Sequence, residues 1–213
     1  MRRVQVIVSR KRALAIILAL AAVIGGIAAW LAFQPTRFAD GTPVWTSTIV
    51  DGAAGSPPPR LGPTAGYDAS SNRMMVFGGA AYNDVWVLSN ANGLGGTSVW
   101  TNTVAQGAGM SSPWRGGHSA VYDAASNRMV MFGGYNDTTY YNDVWVLSNA
   151  NGLGGTPGWT NTVAQGAAGS PLGRVQPAAV YDASGKRMIL FGGDIFTTYY
   201  NDVWVLSNAN ATP

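Results

Sequence analysis

The stretch YNDVWVLSNAN occupies residues 82–92 and returns without change at residues 141–151 and 200–210. In an extended strand, Val85 and Val87 point to one side, and Trp86 and Leu88 point to the other. Because both sides are apolar, the strand needs cover on both faces of its sheet. An array of similar sheets, each packed between two neighbours, supplies that cover without helices.

The repeated stretch belongs to a longer unit of sequence. Two sets of aromatic positions mark the unit: Trp86, Trp145 and Trp204, which are 59 residues apart, and Phe77, Phe132 and Phe191, which are 55 and then 59 residues apart. The difference indicates a four-residue insertion between the double glycine and YND. Each copy has a small-residue strand ending in Tyr-Asp, an apolar strand (RMMVFGG, RMVMFGG or RMILFGG) and then YNDVWVL. A final strand around Trp100 or Trp159 makes four predicted strands per copy.

The composition also favours an all-β chain. The 213 residues include 28 Gly and 11 Pro, and 47% of them are hydrophobic, which is enough to build a core. Every acidic residue is Asp, a residue that prefers turns and strand ends to helix interiors. Many short strands joined by turns are therefore expected.

The charge distribution argues against nucleic acid as a partner. Five basic residues stand together near the N-terminus, at Arg2, Arg3, Arg10, Lys11 and Arg12. From residue 34 onward, eight basic residues are outnumbered by ten Asp. Binding of phosphate groups needs clustered Lys and Arg, which this part of the chain lacks.

The N-terminal segment predicts that the chain is anchored in a membrane. Residues 1–12 form a basic region, and residues 13–33 contain no charge and are long enough to span a bilayer as a helix. The positive-inside rule then places residues 1–12 in the cytoplasm and the rest of the chain outside, after a linker at residues 34–43. The alternative is a cleaved signal sequence and secretion, because Gly26, Ala28 and Ala29 offer small residues for cleavage.

The double glycine after an apolar strand, followed at a distance by Tyr and Trp, resembles the kelch repeat. The resemblance covers residues 44–210 and implies blades of a β-propeller. Residues 44–48 (VWTST) match residues 158–162 (GWTNT), whereas the third copy ends before its Trp strand. In kelch propellers an N-terminal strand completes the last blade, so the resemblance implies that role for the strand of Trp45. Residues 44–213 then form three four-stranded blades.

Three blades are fewer than the four to eight that usually close a propeller. The blades could form an incomplete or open propeller. Two chains could instead pair into a six-bladed ring, in which each Trp45 strand completes the last blade of the partner. A strained closure of three blades is the third alternative.

The chain offers few groups for catalysis. It has one His, no Cys and no Glu, so we expect no catalytic residue, no metal site and no cofactor. His118 lies at the start of a strand, and its counterparts are Thr64 and Pro177, so we interpret it as structural. The repeated Asp residues are interpreted as turn residues, five positions before a repeated Arg at 73, 128 and 187 or immediately before each VWVL.

The predicted binding surface lies in the loops that vary between copies. The loop between the second and third strands of a blade emerges on the same side as the connection to the next blade. Aromatic and cationic residues in these segments suit recognition of a protein or a glycan: Trp114, Arg115, Tyr140, Tyr141, Phe196, Tyr199 and Tyr200. The alternative for Tyr82, Tyr141 and Tyr200 is packing on their own blades.

Three functional hypotheses follow from the sequence. The first is a non-enzymatic module that binds a protein or glycan outside the cytoplasmic membrane, with self-association into a larger propeller left open. The second is a carbohydrate-active or oxidising enzyme of the propeller class. The third is a truncated propeller without an independent function.

Overall fold

A computed structural model describes residues 43–109 and 111–212 of the chain. The chain divides into two compact units, Met1–Thr46 and Ser47–Pro213, and all described strands lie in the second. The predicted helix at residues 13–33 lies outside the described residues and stays a prediction. Within the described part, no helix is long and apolar enough to cross a membrane.

Blade one is a four-stranded antiparallel sheet. Its strands are β1 (Thr64–Asp68), β2 (Arg73–Phe77), β3 (Val85–Ser89) and β4 (Val99–Val104), which pair in chain order. A β-bulge interrupts the pairing of β3 with β4 next to Val85 and Trp86. The predicted order of strands within the repeat is confirmed.

Blade two repeats this arrangement, bulge included. Its strands are β5 (Ser119–Asp123), β6 (Arg128–Phe132), β7 (Val144–Ser148) and β8 (Gly158–Val163). The register is the same in both blades: Tyr67 opposite Met74 in blade one corresponds to Tyr122 opposite Met129 in blade two. The stretch YNDVWVLSNAN therefore supplies the third strand and its flanking turns in each blade.

Blade three has three strands, which differs from the four expected. Its strands are β9 (Ala178–Asp182), β10 (Arg187–Phe191) and β11 (Val203–Leu206), and β11 has no neighbour on its outer side among the described residues. Residues 44–48 form no strand, and Trp45 is fully exposed. Completion of the last blade by the Trp45 strand therefore stays a prediction.

The blades pack face to face through two equivalent cores. The first core joins Phe77 and Val87 of blade one to Met129, Met131 and Leu147 of blade two. The second core joins the equivalent residues of blades two and three: Phe132, Val146, Met188, Leu190 and Leu206. The first strands β1, β5 and β9 contact each other in sequence. Blade two is thus covered on both faces, as its apolar alternation requires.

Candidate functional site

The variable loops and the connections between blades share one side of the blades, as predicted. Tyr135, in the β6–β7 loop, forms bridges with Gly116 of the β4–β5 connection and with Tyr140. Asn142 contacts the β8–β9 connection, where its backbone N–H donates to the Oε1 of Gln165 at 2.8 Å. We call this side the loop face; the β1–β2 turns and β3–β4-type loops form the opposite turn face.

Each blade is tied to the connection that precedes it by an Arg–Asp ion pair, which is buried in blades one and two. In blade two, Nη1 and Nη2 of Arg115 donate to the carboxylate of Asp143 at 2.5 and 3.1 Å, and Nη1 also donates to the carbonyl of Gly133 at 3.0 Å. The indole N–H of Trp145 donates to the same carboxylate. Equivalent pairs occur in the other two blades: Arg60 with Asp84, and Arg174 with Asp202.

The tyrosine that begins each repeated stretch packs beneath this arginine. The guanidinium carbon of Arg115 lies 3.7 Å from the ring centroid of Tyr141, and that of Arg174 lies 4.2 Å from the centroid of Tyr200. Such stacking stabilises a desolvated cation. Arg115 has no exposed surface and Tyr141 is buried, so the prediction that both lie on the binding surface is wrong. Tyr200 is half-buried.

The double glycine makes room for this arrangement. Gly133 and Gly134 have φ values of 76° and 99°, a region that L-residues seldom occupy. A Cβ on Gly134 would lie 3.0 Å from the Cβ of His118 and 3.1 Å from the carbonyl oxygen of Gly116. The two glycines therefore allow the backbone segments to pack closely at the blade boundary, where a side chain would not fit.

The loop face carries an aromatic cluster at the boundary of blades two and three. The rings of Tyr135 and Tyr140 lie 4.5 Å apart, and Phe196 from the β10–β11 loop packs edge-on to both, at 5.7 and 5.8 Å. The hydroxyl of Tyr140 donates to the carbonyl of Ile195 at 3.0 Å, which links the two loops. Burial, then Tyr135 and Asp194, raise the pKa of Tyr140.

Two aromatic side chains of the β10–β11 loop are exposed to solvent. Phe196 is 62% exposed and Tyr199 is 82% exposed. Phe196 also has a φ of 64°, which is unusual for a bulky residue, and its backbone N–H donates to Asp194 at 2.8 Å. Its counterpart in blade two, Asp137, is a residue type that accepts this conformation more readily. An exposed and strained aromatic residue is typical of binding loops.

The structure thus brings together two of the predicted binding residues, Tyr140 and Phe196. Trp114 is half-buried in the β4–β5 connection. Tyr135 completes the cluster and was not among the predicted binding residues. Its position in the sequence could have indicated this role, because Tyr135 directly follows the double glycine, as Asp194 does in the next copy.

His118 is buried where the β4–β5 connection meets blade one. Its Nε2 lies 2.7 Å from the Oγ1 of Thr64, and its ring packs edge-on against Phe77. Burial, with a smaller contribution from the positive charge of Arg115, lowers the pKa of His118 to about 3. Over the described residues, no group of three His or Asp side chains could hold a metal ion.

The turn face carries a second repeated contact, which joins neighbouring blades. Asp68 accepts hydrogen bonds from Ser70 and Ser71 in its own turn, as predicted, and also from the Nδ2 of Asn151 in blade two at 2.7 Å. Arg73 donates to the carbonyl of Asn151 at 3.1 Å. We call this contact the Asn latch.

The latch recurs between blades two and three. There Asn210 donates to Asp123 at 2.7 Å and its carbonyl accepts from Arg128 at 2.5 Å. The Asp–Arg pairs that the sequence analysis assigned to single turns therefore also bind the last Asn of the next repeated stretch.

Antiparallel blades that repeat one strand order and stack face to face are the architecture of a β-propeller repeat protein. The profile of the family described as KLHDC2/KLHL20/DRC7 Kelch-repeats domain matches residues 37–212, so the chain belongs to the kelch-repeat family. Kelch repeats usually mediate protein interaction.

A relative in Saccharomyces cerevisiae, Kelch repeat-containing protein 2, is 29% identical over 191 residues. The match covers 85% of this chain and 20% of the relative, so the chain spans about a fifth of that protein's length.

Proposed function

We propose that this chain is a non-enzymatic interaction module that binds a protein segment on its loop face, at the boundary of blades two and three. The aromatic cluster of Tyr135, Tyr140 and Phe196 carries the proposal, and Tyr199 adds an exposed ring in the same loop as Phe196. Exposed aromatic side chains held on a rigid scaffold lose little conformational entropy when a partner binds, and they dominate the binding energy of many interfaces.

The charges near the cluster indicate the chemistry of the partner. Asp137 is exposed and Asp194 half-buried in the same two loops, whereas the nearest arginines, Arg115 and Arg174, are buried in ion pairs. A Lys or Arg side chain of the partner can interact with these carboxylates and with the tyrosine rings. We therefore propose a peptide segment that carries a basic residue next to an apolar one.

The location of this activity is part of the proposal. The uncharged segment at residues 13–33 and the basic residues before it favour a single-pass anchor, with the blades outside the cytoplasmic membrane. Secretion after cleavage of a signal sequence would expose the same loop face to the same compartment.

The test is selection of binders from a displayed random-peptide library on the immobilised full-length chain, with a glycan array as a second arm. We expect peptides that combine a basic and an apolar residue and that lose at least tenfold in affinity on the variants Phe196→Asn and Tyr199→Ser. Leu153→Ser, at an exposed position on the turn face, is the matched control and should bind as the wild type does. Selected peptides that bind all variants equally, or binding of glycans alone, would contradict the proposal.

A further inference from the structure

Blade three presents an open apolar face where blades one and two are covered. Phe191 is 54% exposed, whereas its equivalent Phe132 in blade two is 2% exposed. Val203 and Val205 are likewise exposed, although the equivalent valines of blades one and two are buried. In the first two blades this face takes up the Met and Leu side chains of the following blade.

Blade one presents the complementary face. Met74 and Val76 of β2 are half-buried, and Tyr67 of β1 is exposed. Their equivalents in blade two are Met129, Met131 and Tyr122, and the two methionines are fully buried against blade one. The open face of blade one is therefore the kind of surface that packs on a preceding blade.

The Asn latch has one unmatched half at each end of the array. In blade three, Asp182 accepts three hydrogen bonds at Oδ1 from Ser184 and Gly185, whereas its Oδ2 accepts none from the described residues. In blade one, the Oδ1 of Asn92 accepts hydrogen bonds from the Nδ2 of Asn72 in the β1–β2 turn and from the backbone N–H of Leu94, and its Nδ2 donates no hydrogen bond within the described part of the chain. Asn92 is exposed, whereas its equivalents Asn151 and Asn210 are buried.

A cleft lies between blades two and three at a place that a tryptophan side chain occupies at the first blade boundary. At the first blade boundary, Trp159 of β8 fills the equivalent place, with its ring 4.6 Å from that of Phe77. At the second boundary the cleft is lined by the equivalents of the residues that surround Trp159: Phe132, Val144, Val163, Met188, Leu190 and Leu206. The tryptophan that matches Trp159 in sequence is Trp45.

The connection that follows Trp45 has the length of a connection between blades. Residues 50–63, which separate the Trp45 segment from β1, are as many as residues 105–118 and residues 164–177, which separate β4 from β5 and β8 from β9. Each of these connections carries the arginine of the buried ion pair. The Trp45 segment is thus spaced as the fourth strand of a blade that precedes blade one.

We propose that two copies of this chain associate head to tail, with blade one of each copy packed on blade three of the other. Asn92 of one copy donates to Asp182 of the second copy, and Arg187 of the second copy binds the carbonyl of that Asn92. The Trp45 strand completes blade three of the other copy and places its indole in the cleft beside Phe132. The association repeats contacts that the chain already makes twice within itself.

A second copy fits this site because it offers the complete set of matching residues. Contacts between different surfaces of two copies form a closed ring only if the rotation per blade allows it. Two copies give six blades, within the four to eight that close a propeller. The proposal does not depend on the proposed function, because it uses the end faces of the array and leaves the aromatic cluster on the loop face untouched.

The first test is the mass of the full chain in solution, measured by analytical ultracentrifugation in density-matched detergent. We expect a discrete species of two protein chains. Asn92→Asp keeps an oxygen that accepts the hydrogen bonds from Asn72 and Leu94, but it places a second carboxylate against that of Asp182, so it should weaken association at least tenfold. Phe196→Asn should leave the mass unchanged.

A second variant separates a lost contact from a damaged fold. Asp182→Asn keeps the Oδ1 that accepts the hydrogen bonds of its own turn and adds an Nδ2 donor. The double variant Asn92→Asp/Asp182→Asn restores one donor and one carboxylate, and it should recover the two-chain species. The proposal would be overturned by a strict monomer at high concentration or by an open series of larger species. It would also be overturned if Asn92→Asp associated as strongly as the wild type.

Discussion

The guanidinium of Arg115 and the carboxylate of Asp143 form a two-point ion pair at 2.5 and 3.1 Å, and the side chain of Arg115 is completely buried. The pair ties the β4–β5 connection to the third strand of blade two, and Tyr141 covers the cation. Removing one member of a buried pair leaves an unpaired charge away from water, which costs about 3–5 kcal/mol. Arg115→Met should lower the free energy of unfolding by that amount, as measured by urea denaturation.

Two further variants test the cause of that loss. Arg115→Met/Asp143→Asn removes both charges and should be less destabilised than Arg115→Met alone. Arg174→Met breaks the pair of blade three, where the Asp202 side chain is 39% exposed, so water can solvate the remaining carboxylate and the loss should be smaller. Equal losses for all three variants would contradict the assignment of the effect to a buried charge.

The Asn latch predicts a charge-swap rescue between blades one and two. Although burial alone would raise it, hydrogen bonds from Ser71, Ser70 and Asn151 hold the pKa of Asp68 well below its usual range. Asn151→Asp therefore places a second carboxylate against an ionised one and should reduce the free energy of unfolding by about 1–3 kcal/mol at pH 7.

The matched control for this prediction is the double variant Asn151→Asp/Asp68→Asn, which restores a donor opposite a carboxylate and should recover most of the stability. Urea denaturation of the single and double variants gives the coupling energy. No recovery in the double variant would show that the Asn latch contributes nothing to the blade boundary.

Phe196 should be replaceable without loss of stability. Its φ of 64° costs a bulky residue on the order of 1 kcal/mol, whereas Asn accepts this region more easily. Phe196→Asn loses the edge-on packing against Tyr135 and Tyr140, worth about 0.5–1.5 kcal/mol, but relieves the backbone strain. We expect a change in the free energy of unfolding within about 1 kcal/mol, and Phe196→Ala should be less stable than Phe196→Asn. The reverse order would contradict backbone strain at this position.

The buried His118 predicts loss of stability in mild acid. Its pKa is lowered to about 3 in the folded state, so between pH 6.5 and 3 the unfolded chain binds a proton that the folded chain does not. Stability therefore falls as the pH falls, and the step from pH 7 to pH 5 should cost about 2 kcal/mol. His118→Gln keeps a polar partner for Thr64 and should remove this slope. A wild type and variant with parallel pH profiles would contradict the prediction.

The sequence predicted the blades well because a strand repeat leaves a regular pattern. The alternation in VWVLS required cover on both faces, and blade two has it, while the spacing of Trp and Phe fixed the order of strands. The sequence could also place Phe196 and Tyr140 on the loop face, because both follow the double glycine in loops that differ between copies.

Roles that depend on contacts across a blade boundary were not predictable from one repeat. Arg115 looked like a surface cation, because its partner Asp143 lies 28 residues away in the next blade. The sequence still held a signal, since an arginine recurs before each blade at Arg60, Arg115 and Arg174. Asp68 likewise looked like a plain turn residue, because the Asn151 that binds it is 83 residues distant.

The cleft beside Phe132 predicts a specific role for Trp45 in association. If the indole of Trp45 fills the cleft of the other copy, as Trp159 fills the equivalent place beside Phe77, Trp45→Ala removes a large buried side chain from each of two contacts. Truncation of a central interface tryptophan costs about 2 kcal/mol or more, so the dissociation constant should rise by at least tenfold in sedimentation equilibrium. Leu153→Ala, at an exposed position of blade two away from both end faces, is the control and should leave the constant unchanged. Equal dissociation constants for Trp45→Ala and the wild type would place the indole outside the cleft.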